Sequence, residues 1–125
     1  YEAYSECSEQ DKELIYDLGI QLLKSKQEGK SIAAFAASAK GNTLLNCSGM
    51  NTDIIDYIAD DTPEKVGKFS PGNGIPIVNP QRITKTNPDY IVILSWNFTD
   101  AIINRVRKLG FKGKFIVPIP KFEVI

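Results

Sequence analysis

The stretch "SIAAFAASAKGNTLLNCSG", residues 31–49, decides how this chain is read. It opens on "SIAAF", an apolar run with no polar alternation and too short for a helix of its own, which is the pattern of a strand buried on both faces. Small residues follow. Then "KGNTLLNCSG" sets Leu44 and Leu45 among polar positions and ends at Gly49, the pattern of a helix of about two turns with a glycine stop. A buried strand passing directly into a short helix is the first half of a βαβ unit, so the neighbouring segments must supply a parallel sheet and its helical cover.

They have the right patterns. Upstream, Ser8 is a candidate N-cap with Asp11 three residues later, and Leu14, Leu18 and Leu22, widened by Ile15 and Leu23, form a helical stripe. Lys24, Lys26 and Lys30 gather toward the end of that helix, and Gly29 stops it. Downstream, "DIIDYIAD" (53–60) reads as a second strand. A long loop (61–74) leads to a third apolar piece, "IPIV" (75–78), and "NPQRITKTNP" (79–88) reads as a short helical or turn segment. "DYIVILS" (89–95) is the plainest strand of all. "NFTDAIINRVRKLG" (97–110) is an amphipathic helix with Ile102, Ile103, Val106 and Leu109 on one face, and "KFIVPIP" (114–120) is a last strand ended by its prolines. The expectation is an α/β fold: a three-layer, Rossmann-like domain with a mainly parallel sheet of about five strands. It is one domain over residues 1–125, with residues 1–8 in the character of a linker.

Composition excludes several functions. Fifteen basic and fifteen acidic residues cancel, so no overall field draws the chain to nucleic acid or to an anionic membrane. Apolar runs are far too short to span a bilayer, and nothing at the N-terminus has the order of a signal peptide. There is no histidine, which removes the commonest general base and any Ser–His or Cys–His pair. With only Cys7 and Cys47 to offer thiolates, no metal site is expected. The two cysteines are read as reduced thiols of a cytoplasmic protein, with a disulfide as the alternative.

Chemistry-bearing residues gather where strands end. At the first strand-to-helix turn, Ser38, Asn42 and Thr43 offer hydrogen-bonding groups, Lys40 offers a cation, and Gly41 permits close backbone approach. A helix N-terminus with its unpaired N–H groups attracts anions, so the turn is either an anion site or a capped helix beside a solvated lysine. It is neither a Walker loop, in which lysine follows the last glycine, nor a GxGxxG turn. Asp60 and Asp61 end the second strand, where dinucleotide folds place the acid that bonds ribose hydroxyls. They read equally as loop acids. In the long loop, Lys65 and Lys68 have the reach for an anion. After the strongest strand, Trp96 is placed either to stack on a ligand or to pack on the next helix, and Asn97 to cap that helix. No pair of residues stands out as catalytic, and no glycine-rich loop for a large cofactor is present. From the residues alone this is an α/β ligand-binding module.

Four segments in order, "AKGNTLLN", "DYIADDTPEKVGKFSPGNGIPIVNP", "PDYIVILSWNF" and "GKFIVPIPKFEVI", resemble the C-terminal domain of the SAM-dependent sugar C-methyltransferases. The resemblance covers about Lys30 to Ile125 and departs from the usual pattern at Phe35, where a tyrosine is common. It implies a parent enzyme with an N-terminal zinc-binding piece and a SAM-binding domain, neither of them in this chain, so that SAM and zinc belong to those parts and no cofactor to this one. It also implies that a nucleotide-activated deoxysugar lies between this domain and the SAM-binding domain of the same polypeptide. The isolated chain is then expected not to transfer methyl groups. Ser38, Lys40, Gly41, Asn42, Thr43, Asp60, Asp61, Lys65, Lys68, Trp96 and Asn97 would form the substrate site. The rival expectation is a structural module that packs on the catalytic domain and holds no nucleotide.

Overall fold

The computed structural model describes residues 12–117 and 123–125. The expected Ser8 cap, the linker and the proline stop of the last strand lie outside them. The elements run α1 (Lys12–Gln27), β1 (Ile32–Phe35), α2 (Ala39–Cys47), β2 (Ile58–Ala59), β3 (Ile77–Val78), α3 (Gln81–Thr86), β4 (Tyr90–Ile93), a 3-10 turn (Trp96–Phe98), α4 (Thr99–Lys108), β5 (Lys114–Val117) and β6 (Glu123–Val124). One sheet holds the strands in the order β3-β2-β1-β4-β5-β6. The first five are mutually parallel, and β6 lies antiparallel to β5.

Side-chain alternation along the strands divides the core into two layers. On one face Ile32, Ala34, Val92, Leu94 and Ile116 meet Leu18 and Leu22 of α1 and Leu44 and Leu45 of α2. On the other, Ala33, Phe35, Ile91, Ile93, Phe115 and Val117 meet Ile83 of α3 and Ile102 and Val106 of α4. Both faces are therefore covered, as the unbroken apolar strands require. Each fully buried Leu or Ile contributes about 1.5–3 kcal/mol of transfer free energy, and Leu18, Leu22, Leu45 and Ile83 hold the helices in this way. Arg107 pins the end of α4, donating to the carbonyls of Phe111 and Gly113 with its guanidinium 4.8 Å from the centre of the Phe115 ring. No helix among the described residues is long and apolar enough to cross a membrane.

Three expectations are corrected. The second strand is confined to Ile58–Ala59, because Asn51 accepts the Asp53 N–H through its side chain and turns the chain before the ladder can start. The mainly parallel sheet is present as expected, and β6 adds a short antiparallel border whose pairing through Ile125 and Phe115 has no local sequence signal. Asn97 does not cap α4. A 3-10 turn precedes that helix and puts Phe98 at the boundary, with no side-chain cap. Cys47 is disulfide-bonded rather than a reduced thiol. Pairing between cysteines far apart in sequence depends on tertiary placement, which spacing does not report, and the chain's other cysteine, Cys7, lies outside the described residues.

The long loop is ordered as a hairpin against β3. Gly67 N–H donates to Ile77 O while Ile77 N–H donates to Lys68 O, and Gly67 has φ 92, so Gly67 and Lys68 together face one residue in a bulge that favours glycine at its first position. Phe69 then bridges Pro76.

Candidate functional site

With this strand order, the chain leaves β1 toward one side of the sheet and β4 toward the other. The crevice between their C-terminal ends is the topological switch point, the usual ligand-binding place of open α/β sheets. Both strand-to-helix turns meet there through Ser38. Its hydroxyl donates to Leu94 O at 2.9 Å and accepts the Gly41 N–H at 3.1 Å, which makes it both the N-cap of α2 and the tie to β4. Gly41 is the closest point of that contact. A Cβ there would stand 2.5 Å from Leu94 Cβ, so the glycine serves helix-to-strand packing.

Two compartments flank this seam. The larger, about 460 Å³, lies between α2 and the hairpin, with Ile58, Ile77 and Leu94 as an apolar floor and Ser38, Thr43, Lys65 and Lys68 among its polar walls. The smaller, about 250 Å³, lies over the switch point and brings Ser38 and Lys40 together with Trp96, Asn97 and Phe98. The ammonium groups of Lys40 and Lys68 have no ion-pair or hydrogen-bond partner among the described residues. Trp96 is half-buried against the core, while Phe69 and Phe98 on the two rims are each 66% exposed.

Four further expected site residues are also engaged within the chain. Asp60 is buried, and its carboxylate accepts the Ala37 N–H and the Thr62 N–H, each at 2.7 Å. Lys65 donates to Ala37 O at 2.8 Å and lies 3.9 Å from Asp60. Asp61 turns to the other side of the sheet and makes a two-point ion pair with Arg105 of α4, at 2.8 and 3.3 Å. Asn42 is held by the hairpin tip, its amide donating to Pro71 O and its oxygen accepting from Asn73. Asn46, one turn further along α2, donates to Pro71 O as well, and Ser70 closes the tip on Asn73. The structure thus places Ser38, Thr43 and Lys68 on the larger compartment and Ser38, Lys40, Trp96 and Asn97 on the smaller, with Gly41 packed at the seam between them. Reading the sequence missed Leu94, Phe69 and Phe98 as lining residues and Asn46 as a latch. The i, i+4 spacing of Asn42 and Asn46 was the available signal for the latch.

The model of a protein family described as the C-methyltransferase C-terminal domain matches residues 1–120. The chain belongs to this family. C-methyltransferase NovU from Streptomyces niveus is 39% identical to it over 99 residues, which make up 78% of this chain and 24% of NovU. The chain thus spans about a quarter of the length of that relative. Among solved structures, UDP-D-quinovosamine 4-dehydrogenase from Vibrio fischeri matches with a TM-score of 0.51 at 22% identity, over 74% of this chain and 79% of that one. RSP, a Rex-family repressor, matches at 0.51 and 16%, over 85% and 55%. These two likenesses concern the fold, which is Rossmann-like. In this C-methyltransferase C-terminal domain, three of the four characteristic segments line the two compartments, and the described residues of the fourth supply β5 and β6. Phe35, at which the sequence departs from the expected tyrosine, is buried on the sheet face away from α2.

Proposed function

We propose that this domain holds the nucleotide-activated sugar on which a C-methyltransferase acts, with methyl transfer from SAM assigned to the rest of the polypeptide. The observation that carries the reading is the pair of adjoining compartments at the switch point, each with an unpartnered lysine on its wall. The larger is of ordinary size for a small-molecule site, and its apolar floor with a few polar groups suits a base or sugar ring. Lys68 and Lys40, one in each compartment, suit a diphosphate between the two. Trp96 and Phe69 offer rings for stacking along the same path.

Calorimetric titration of the chain with dTDP-glucose, dTDP and SAM tests the proposal. Saturable binding of both nucleotides and none of SAM is expected. Lys68→Met should weaken dTDP about tenfold, the worth of one charge-assisted hydrogen bond. Saturable SAM binding with no response to either nucleotide would overturn the assignment. A second reading, a module that shapes the cleft by packing on the catalytic domain, is favoured by one observation, the exposure of Phe69 and Phe98 on the rims. It predicts that Lys68→Met and Lys40→Met leave substrate affinity of the whole enzyme intact, while Phe98→Ser weakens the domain contact.

A further inference from the structure

The backbone of Ala37 is gripped from both sides. Its N–H donates to Asp60 Oδ2 at 2.7 Å, and its carbonyl accepts from Lys65 Nζ at 2.8 Å. The two gripping side chains are 3.9 Å apart. Immediately before it, Ala36 has φ 76, a left-handed conformation that alanine adopts only when its surroundings impose it. The other backbone groups of the turn are also engaged: Ala36 N–H donates to Ala59 O, and Ser38 N–H to Ala36 O. Asp60 is buried, and its second oxygen is taken by the Thr62 N–H.

We infer that Asp60 and Lys65 are positioning residues of the ligand site, which hold the β1–α2 turn in its left-handed form and so aim Ser38 and the first turn of α2 at the seam between the two compartments. This rests on the reading of that edge as a ligand site. It departs from the expectation that the acid would bond a ribose hydroxyl and the lysine an anion. A carboxylate with both oxygens occupied has little to offer a hydroxyl, and an ammonium held between a carbonyl and that carboxylate is already neutralised in part. The ligand-facing cations are then Lys68 and Lys40.

The experiment combines dTDP-glucose calorimetry with hydrogen exchange at the Gly41 amide, whose acceptor is Ser38 Oγ beyond the turn. Asp60→Asn should speed Gly41 exchange at least tenfold and weaken dTDP-glucose about fivefold, because a neutral amide cannot accept from both N–H donors. Adding Ala36→Gly, which makes the left-handed turn easy without the clamp, should return both values to within about twofold of the parent chain. Lys65→Met should show the same pattern more weakly, so a poorly folding Asp60→Asn chain does not end the test. Lost affinity with unchanged Gly41 exchange, not restored by Ala36→Gly, would make Asp60 a ligand contact and overturn the inference. Unchanged exchange and affinity in both clamp variants would overturn it too. If the parent chain binds no dTDP-glucose while Gly41 exchange responds and is restored as stated, the clamp stands and the ligand reading falls.

Discussion

The two turns that face each other across the switch point are built in opposite ways. The β1–α2 turn is made of small residues and is held from outside its own segment, by Asp60, by Lys65 and, through Ser38, by the end of β4. It carries a strained alanine and a true side-chain cap. The β4–α4 turn carries large rings and a 3-10 turn with no side-chain cap at either boundary, and it is closed by its own neighbours, Thr99 Oγ1 donating to Trp96 O at 2.7 Å. One turn is therefore specified by distant partners and has a single conformation to offer. The other keeps exposed aromatic surface on a short, locally bonded segment, the usual make-up of a wall that adjusts to what it meets.

That contrast predicts a ranking of effects. The largest should come from Gly41→Val, which drives a branched side chain into Leu94. Overpacking of this kind costs about 3 kcal/mol, a fall in Tm of roughly 10 °C for a domain this size. A scanning-calorimetry shift under about 2 °C would mean that α2 lifts off β4 freely and that the turn is not rigid. Next is Asp60→Ala, which strands two N–H donors, those of Ala37 and Thr62. Urea denaturation should register about 2–3 kcal/mol. Ser38→Ala removes the cap and should cost about 1 kcal/mol by the same measurement. On the other turn, Asn97→Ala should stay within about 0.5 kcal/mol of the parent, since the exposed side chain caps nothing. A loss as large as that of Ser38→Ala would erase the distinction between the two turns.

The smallest effect lies away from both turns and appears only in alkali. Burial pushes the Tyr57 hydroxyl above its ordinary 10.0, with the hydrogen bond to Thr86 acting in the opposite sense. The unfolded chain then loses the proton first. Stability should be indifferent to this group below about pH 10 and decline as pH rises past 10 toward the higher folded value. Tyr57→Phe should flatten that part of the decline when denaturation is followed at pH 9 and at pH 11.

The layering was legible in the sequence because unbroken apolar runs such as "YIVILS" cannot face water on either side, and the stripe from Ile102 to Val106 has to meet one of those faces. The glycines past α1, α2 and α4 marked the ends of those helices for the same local reason. The candidate site was legible only as a place. Strand ends and helix starts located it at Ser38, Lys40 and Trp96, but the commitments of individual polar groups are tertiary facts. Nothing local distinguishes Asp60, buried and doubly bonded, from Asp61, which turns away to Arg105. Nor does anything local separate Lys65, drawn to a carbonyl, from Lys68, left open to the compartment. Asn42 looked like a ligand-binding residue because its latch partner, Pro71, sits 29 positions away.

The margins of the sheet bear on how this domain meets other molecules. At one side the outermost strand is β6, two residues long and antiparallel. At the other, the hairpin arm covers β3 and is bent by the bulge at Gly67. Short and bent borders are poor templates for a foreign strand. Among the described residues, neither border of the sheet favours its growth into a neighbouring chain, whether for dimerisation or as runaway aggregation.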